Sequence, residues 1–402
     1  DDGFPGISQR PGEPRSEETS LDGPLGLYVH IPFCEAKCAY CNFAIDPRRP
    51  DGARQDRYVQ AVLRELSQLG SGPREAEASA DTLYFGGGTP SLLTPDRLSC
   101  LVEALRARFE LPASSEITLE ANPRDLDFQG YRAARAAGVN RLSIGVQSLD
   151  DTVLRDMGRI HLSADAWRAV ALAREAGFDN LSVDLVLGWP GESRERWGRN
   201  LRAVESMAPD HVSVYVLEVE GRTLLNHRAR RGTLDLPAED LLADLYHETV
   251  EALGALGLER YEISNFARRG FESRHNAKYW DDGPFLGLGM AAHSYTNGRR
   301  CWNVASYAGY CLAVEQRGTA VAGERVPTGR ERRGEALFTG LRRRRGIDLG
   351  AFTARYGVSP LEEFGSGLED AFAAGLLEDV DGRLRLTDKG VLLSNEVFRA
   401  FV

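Results

Sequence analysis

The 402-residue chain is predicted to fold as an α/β protein: a partial (β/α)6, TIM-like barrel followed by a smaller, mainly helical, winged-helix-like domain. Three observations carry that expectation. From residue 25 to 265, short β-branched or apolar runs alternate with amphipathic stretches, and a βαβα order predicts parallel strands with helices outside. Beyond 285 the rhythm stops, and Gly and aromatic residues dominate 283–310. From 335 onward the pattern is short helices, then two short runs, Gly375-Leu-Leu-Glu and Arg383-Leu-Arg-Leu, and a last helix beginning near Thr387.

Taken in order, residues 1–24 carry Pro5, Pro11, Pro14 and Pro24 among acidic and small residues, without apolar periodicity, and read as a disordered leader. Candidate strands are Leu27–Ile31, Thr82–Phe85, Glu116–Glu120, Arg141–Gly145, Leu181–Leu187 and Val212–Leu217, with a weaker one at Tyr261–Asn265. Candidate helices cover 53–70, 95–109, 125–137, 163–176, 193–207 and 238–256. The fourth of these opens on Ser163 as N-cap and closes on Gly177. The expected organisation is therefore a barrel over 25–265, a linking segment over 266–334 and a C-terminal domain over 335–402. In barrels of this kind, function gathers at the C-terminal ends of the strands.

Composition narrows the class. Hydrophobic residues at 42% and charged residues at 27% fit a globular chain. No apolar run reaches the ~18 residues of a membrane span. A net charge of −10 argues against a nucleic-acid partner, and the basic run at 330–345 reads first as a solvated helix face.

Six cysteines are too few for a disulfide scaffold in a chain of this length, yet three fall within eight residues, Cys34, Cys38 and Cys41. They follow a strand, with spacing C-x3-C-x2-C, while Cys100, Cys301 and Cys311 stand isolated. Zinc sites usually draw on four ligands and C-x2-C pairs. A [4Fe–4S] cluster is usually held by four thiolates, so three leave one iron open to a small molecule. Three packed cysteines, or zinc on three thiolates, are the alternatives.

With these residues in place, the chain resembles the radical S-adenosylmethionine (SAM) superfamily, over residues 25–300 at least. The resemblance implies a [4Fe–4S] cluster on Cys34, Cys38 and Cys41, SAM chelated to the open iron, and reductive cleavage of SAM to a deoxyadenosyl radical. It places Tyr40 near the adenine. Gly86-Gly-Gly-Thr89-Pro, at the end of the second strand, resembles the superfamily's methionine-binding segment, which carries Gly87, Gly88 and Thr89 into the site.

Polar residues inside apolar strands need partners, because an unpaired buried polar group costs a few kcal/mol. Glu120, Gln147 and Asp184 are three such residues. With Tyr28 and Arg159 they match SAM-contacting positions of the oxygen-independent coproporphyrinogen oxidase group, which the whole chain resembles. Leu187-Gly-Trp-Pro-Gly191 matches that group's GLPG turn, with Trp189 in place of Leu.

Two branches of the group differ at readable positions. The oxidase carries a fourth Cys where this chain has Phe43, and the haem-chaperone branch carries HNxxYW, here His275-Asn-Ala-Lys-Tyr-Trp280. The resemblance thus implies a haem chaperone with haem b bound through His275 and Tyr279 and Trp280 beside it. It also implies a haem-acceptor protein, an electron donor such as a flavodoxin or ferredoxin, and a cytoplasmic location with peripheral contact at a membrane. His293 is the second haem-ligand candidate, and His30 is expected to order the cysteine loop. The other reading is oxidative decarboxylation of coproporphyrinogen III propionates, for which Arg342–Arg345 offer bidentate grips.

Overall fold

The computed structural model describes residues 23–48, 50–70 and 79–401, so the expected leader lies almost wholly outside the described residues. Six parallel strands follow the expected order: β1 (Leu25–Ile31), β2 (Ala80–Gly87), β3 (Glu116–Ala121), β4 (Arg141–Gln147), β5 (Leu181–Leu187) and β6 (His211–Val216). Between them run α1 (Gly52–Ser67), α2 (Pro95–Arg108), α3 (Phe128–Ala136), α4 (Asp151–Asp156), α5 (Ser163–Glu175) and α6 (Arg194–Met207). After β6 come α7 (Leu224–Arg230) and α8 (Glu239–Ala255). Leu162 rather than Ser163 is the N-cap of α5, and its N–H is taken by Asp165 Oδ2 at 2.8 Å. Gly177 sits just past that helix with φ +90°, as a left-handed stop requires.

The strands are sorted by their period of two. The outward row, for example Leu27, Val29, Leu83, Phe85, Leu142, Ile144, Val183 and Leu185, is completely buried against the helices. The inward row is polar: Tyr28 and His30, Thr82 and Tyr84, Glu116 and Glu120, Arg141 and Ser143, Ser182 and Asp184, His211 and Ser213. Parallel sheets are usually apolar on both faces. A polar lumen in a parallel sheet must therefore satisfy itself or face a ligand.

The expected strand Tyr261–Asn265 is replaced by β7 (Glu259–Arg260) and β8 (Asn265–Ala267), antiparallel to each other, with β8 also antiparallel to β6. Glu262 breaks the run, since its carboxylate accepts from Ser264 N–H at 3.0 Å and folds the chain back locally. Residues 266–334, expected as a linking segment, carry α9 (Arg274–Trp280), β9 (Phe285–Leu288), β10 (His293–Thr296), β11 (Arg299–Asn303), α10 (Tyr307–Arg317) and β12 (Val321–Arg325). Strand β9 pairs parallel with β1, and β10 to β12 continue antiparallel. The result is one open sheet of twelve strands, with β12 and β7 at its edges, rather than a closed barrel.

The C-terminal part comprises α11 (Gly329–Gly340), β13 (Ile347–Asp348), α12 (Leu349–Tyr356), α13 (Pro360–Ala373), the hairpin β14 (Leu377–Val380) and β15 (Arg383–Leu386), then α14 (Asp388–Leu392) and α15 (Ser394–Phe398). Helices followed by a hairpin match the expected winged-helix-like order. Among the described residues, no helix is long and apolar enough to cross a membrane.

Candidate functional site

The cysteine loop leaves β1 through Pro32 and Phe33 and is fastened at several points. Cys34 N–H donates to Asp46 O at 3.3 Å, Ala39 N–H to Met157 O at 2.9 Å, and Leu225 N–H to Ala39 O at 2.8 Å. Trp189 explains its place in the GWPG turn. It is buried in a small second core with Ala39, Met157 and Leu225, and its indole N–H donates to Asp156 at 2.9 Å. Tyr40 stands edge-on to Trp189, with ring centres 5.9 Å apart. As expected, His30 orders the loop. Its Nε2–H donates to Ala44 O at 2.8 Å, which leaves Nδ1 to accept from Tyr28 Oη at 3.0 Å.

The glycines of the Gly86–Thr89 segment admit protein as well as any ligand. A Cβ on Gly87, whose φ is +111°, would stand 2.4 Å from the His30 ring, and one on Gly88 would stand 2.7 Å from Pro32 and Phe33 backbone atoms. The segment is therefore pressed against the root of the cysteine loop. Gly88→Ala is expected to push that loop away, costing about 1–3 kcal/mol by overpacking and lowering iron retention. Thermal melting and iron content per chain check both; an unchanged iron content would show that the close approach is dispensable.

Thr89 links the segment to the cysteines. Its hydroxyl accepts from Asn122 Nδ2 at 3.1 Å and lies 3.4 Å from Cys34 Sγ, towards which its own proton is free to point. Asn122, which the sequence reading did not single out, also accepts from Arg159 Nη2 at 2.5 Å. The guanidinium donates further to Gly145 O at 2.8 Å and to His161 Nδ1 at 3.3 Å, and its Nη1 lies 3.7 Å from Cys38 Sγ. His161 is fixed as the Nε2–H tautomer by Val146 O at 3.0 Å, and burial lowers its pKa to about 4, so it accepts as a neutral base.

The donor set fits an anionic, thiolate-held group. Arg159 is a half-buried cation that forms no salt bridge with a carboxylate among the described residues, while its fork reaches a cysteine sulfur. Burial raises Cys34 to about 11 and also raises Cys41, so without a metal these thiols stay protonated. Among the described residues, no three ligating side chains already stand at metal-binding separation. The other cysteines lie apart: Cys100 on α2, Cys301 on β11 and Cys311 in α10.

The remaining expected residues line the lumen. Glu120 accepts from Tyr84 Oη at 2.8 Å and from Gly87 N–H at 3.2 Å, and burial, reinforced by Asp184, pushes its pKa up to about 7. Gln147 ends β4 in a left-handed conformation, φ 65°, where the β4–β5 register shifts; that bulge re-aims the strand end. Asp184 is satisfied from within: Ser143, Ser182 and Ser213 hydroxyls all donate to it, the shortest at 2.7 Å. Ser182 precedes it by two on the same strand, whereas Ser143 and Ser213, on the two neighbouring strands, could be paired with it only once register was known.

His275 lies at the lumen floor, not on a surface. Its ring is stacked on Tyr84 with centres 5.1 Å apart, Nδ1 bonds Thr82 Oγ1 at 2.9 Å, and Nε2 bonds Tyr279 Oη at 2.8 Å. Its N–H donates to Glu116 at 3.0 Å. Both ring nitrogens are thus engaged, so the ring offers a haem iron no lone pair unless one of these bonds breaks. Trp280, at the end of the same motif, stacks under Arg342, 4.5 Å from the ring centre. Arg343 and Arg345 pair with Asp281 at 2.7 Å, Arg342 with Glu262 and Arg344 with Glu259 at 3.5 Å. The arginine run clamps the C-terminal part to the sheet.

Beside the cysteine loop opens a hollow of about 420 Å³, walled by Tyr28, His30, Asn42–Ala44, Tyr279, Phe285, Ala291 and His293. Phe43 is 70% exposed there.

Residues 28–204 match the model of the radical SAM superfamily, and residues 328–393 that of the HemN C-terminal domain. The chain is 36% identical to the heme chaperone HemW of Bacillus subtilis over 93% of its own length and 98% of that protein's. It is likewise 36% identical to the heme chaperone HemW of Mycobacterium tuberculosis, over 99% and 97% of the two chains. The structure of coproporphyrinogen III oxidase (HemN) from Escherichia coli, a radical SAM enzyme, superposes with a TM-score of 0.81 at 26% identity, covering 94% of this chain and 90% of that one.

Proposed function

Because the chain belongs to the radical SAM superfamily and, within it, to the heme chaperone HemW family, we propose that it binds haem and hands it to an acceptor protein. The observation that carries this reading is the open, aromatic-walled hollow beside the cysteine loop, where Phe43 stands exposed in place of a fourth cysteine. Its size falls in the usual ligand-pocket range of about 300–1,000 Å³. Against the decarboxylase reading, Arg342–Arg345 are all paired with carboxylates and none lines the hollow.

Membership implies a [4Fe–4S] cluster and SAM. In our reading Cys34, Cys38 and Cys41 hold the cluster, and Tyr28, Tyr40, Gly87, Gly88, Thr89, Glu120, Gln147, Arg159 and Asp184 surround SAM. When bound, the cluster supplies an iron with an open position for the amino and carboxylate groups of SAM. The chain's own part is to neutralise and orient: Arg159 faces a cysteine sulfur, Thr89 directs a hydroxyl at another, and Gly87 and Glu120 fix the floor. The protein is read as cytoplasmic, with its acceptor and an electron donor such as a flavodoxin or ferredoxin as partners.

The test is a transfer assay under anaerobic conditions. Haem-loaded protein mixed with a haem-free acceptor is expected to give the acceptor's haem spectrum. Incubation with coproporphyrinogen III, SAM and a reductant is expected to give no protoporphyrinogen. Turnover to protoporphyrinogen would replace this reading with the decarboxylase.

A further inference from the structure

We propose that haem sits in the hollow beside the cysteine loop with His293, not His275, as its axial ligand. This rests on the chaperone reading and adds the site.

The chain has seven histidines. Four of them, His30, His161, His211 and His275, are buried with both ring nitrogens hydrogen-bonded. His227 and His247 lie exposed on α7 and α8 and do not wall the hollow. His293 does wall it, is exposed, and has no hydrogen bond to either ring nitrogen among the described residues. Partial desolvation against the hollow's wall and the Arg300 charge lower its pKa, which favours the neutral ring with a lone pair for iron.

His293 is also rigidly mounted. It opens β10 opposite Trp302 on β11, and the two rings stack with centres 6.3 Å apart. The turn before it is held in unusual backbone: Gly289 has φ 96° and Ala291, which carries a side chain, has φ 56°. Buried Glu65 clamps that turn, accepting from Gly289 N–H at 2.9 Å and from Tyr310 Oη at 2.7 Å. Asn303 Nδ2 donates to Gly289 O at 2.9 Å. A strained turn over-determined by its surroundings is how a fold presents a side chain at a fixed angle.

The rest of the hollow suits a flat apolar ring. Phe43 is exposed on the loop side, and Phe285 meets Tyr279 edge-on at 4.7 Å on the other. Aromatic faces of this kind stack on porphyrin. An imidazole with a free nitrogen beside them completes a haem site, and because Phe43 follows Cys41 by two residues, haem bound there adjoins the cluster loop.

The experiment titrates haemin into the anaerobic full-length chain as wild type, His293→Ala and His275→Gln, and records affinity and the iron–histidine resonance Raman band of the ferrous haem. His293→Ala is expected to lose the band and to bind haem about tenfold more weakly or worse. Added imidazole restores the band, which shows the fold intact, and His275→Gln keeps it. An unchanged band and affinity in His293→Ala would overturn the ligand assignment and leave the chaperone reading standing. Loss of the band in His275→Gln alone would move the ligand to His275. No haem uptake by wild type would overturn both the assignment and the chaperone reading.

Discussion

Arg159→Ala is expected to lower both cluster retention and SAM affinity by about 10–100-fold, the usual loss when a residue that orients metal ligands is removed. The guanidinium joins three structures: the cysteine loop through Cys38, the end of β4 through Gly145 O, and the Asn122–Thr89 pair that leads to Cys34. Removing it leaves the half-buried Gly145 O and Asn122 Oδ1 and the buried His161 Nδ1 without this donor. An unsatisfied buried group costs about 1–3 kcal/mol, and of the three only His161 is fully buried, so stability should fall by about 1–3 kcal/mol. Arg159→Lys separates charge from geometry, since an ammonium keeps the cation and loses the planar fork. It should retain more cluster than Arg159→Ala while still failing to bridge Asn122 and Gly145. Iron and sulfide content, SAM titration and denaturant midpoints measure these effects. A fully loaded Arg159→Ala variant would show that this cation has no role at the cysteines.

The sequence made the half-barrel legible because its strands are set by local pattern. Leu181–Leu187 is seen with its expected limits, and β1 to β4 differ by one or two residues at their ends. The pattern failed where long-range pairing decides. Strands β9 to β12 are only four or five residues long and lack a sustained apolar alternation, and they become strands only because the edge of β1 is open to pair with β9. The Tyr261–Asn265 run looked like a strand and is broken by one carboxylate capturing a nearby N–H.

The candidate site divides in the same way. Cysteine spacing and the glycine segment are contiguous in sequence, so they could be read directly. Asn122, which ties Arg159 to Thr89, stands two residues past Glu120 at a strand's C-terminal end, where a polar residue was a usable signal. Of the serines around Asp184, Ser182 shares its strand and face by the period of two, while Ser143 and Ser213 gave no signal, because only register brings them there. The HNxxYW motif was legible as a motif but not in its direction. Ser273 caps α9, accepting from Asn276 N–H, and that start aims His275 inward at Thr82.

This inward placement gives the second large effect. Burial, with Lys278 and Arg141 nearby, lowers the His275 pKa to about 3, while tyrosines 28, 84 and 279 pack around its ring. An unfolded histidine titrates near 6.5. Its folded value is depressed, so the unfolded chain takes up a proton that the native state refuses as pH falls. The stability tied to keeping His275 neutral is complete above about 6.5 and is lost towards 3, at about 1.4 kcal/mol per pH unit. His275→Leu cancels that loss but leaves the hydroxyls of Thr82 and Tyr279 without their partner, at about 1–3 kcal/mol each. At pH 7.5 the variant should therefore be less stable than wild type by about 2–4 kcal/mol. At pH 5 the gap should have narrowed by about 2 kcal/mol, because wild type alone pays the protonation penalty at this position. Urea midpoints of both proteins at the two pH values decide it. A gap that stays constant with pH would mean that His275 titrates alike in both states, and its burial between Thr82 and Tyr279 would then be the wrong account of the motif.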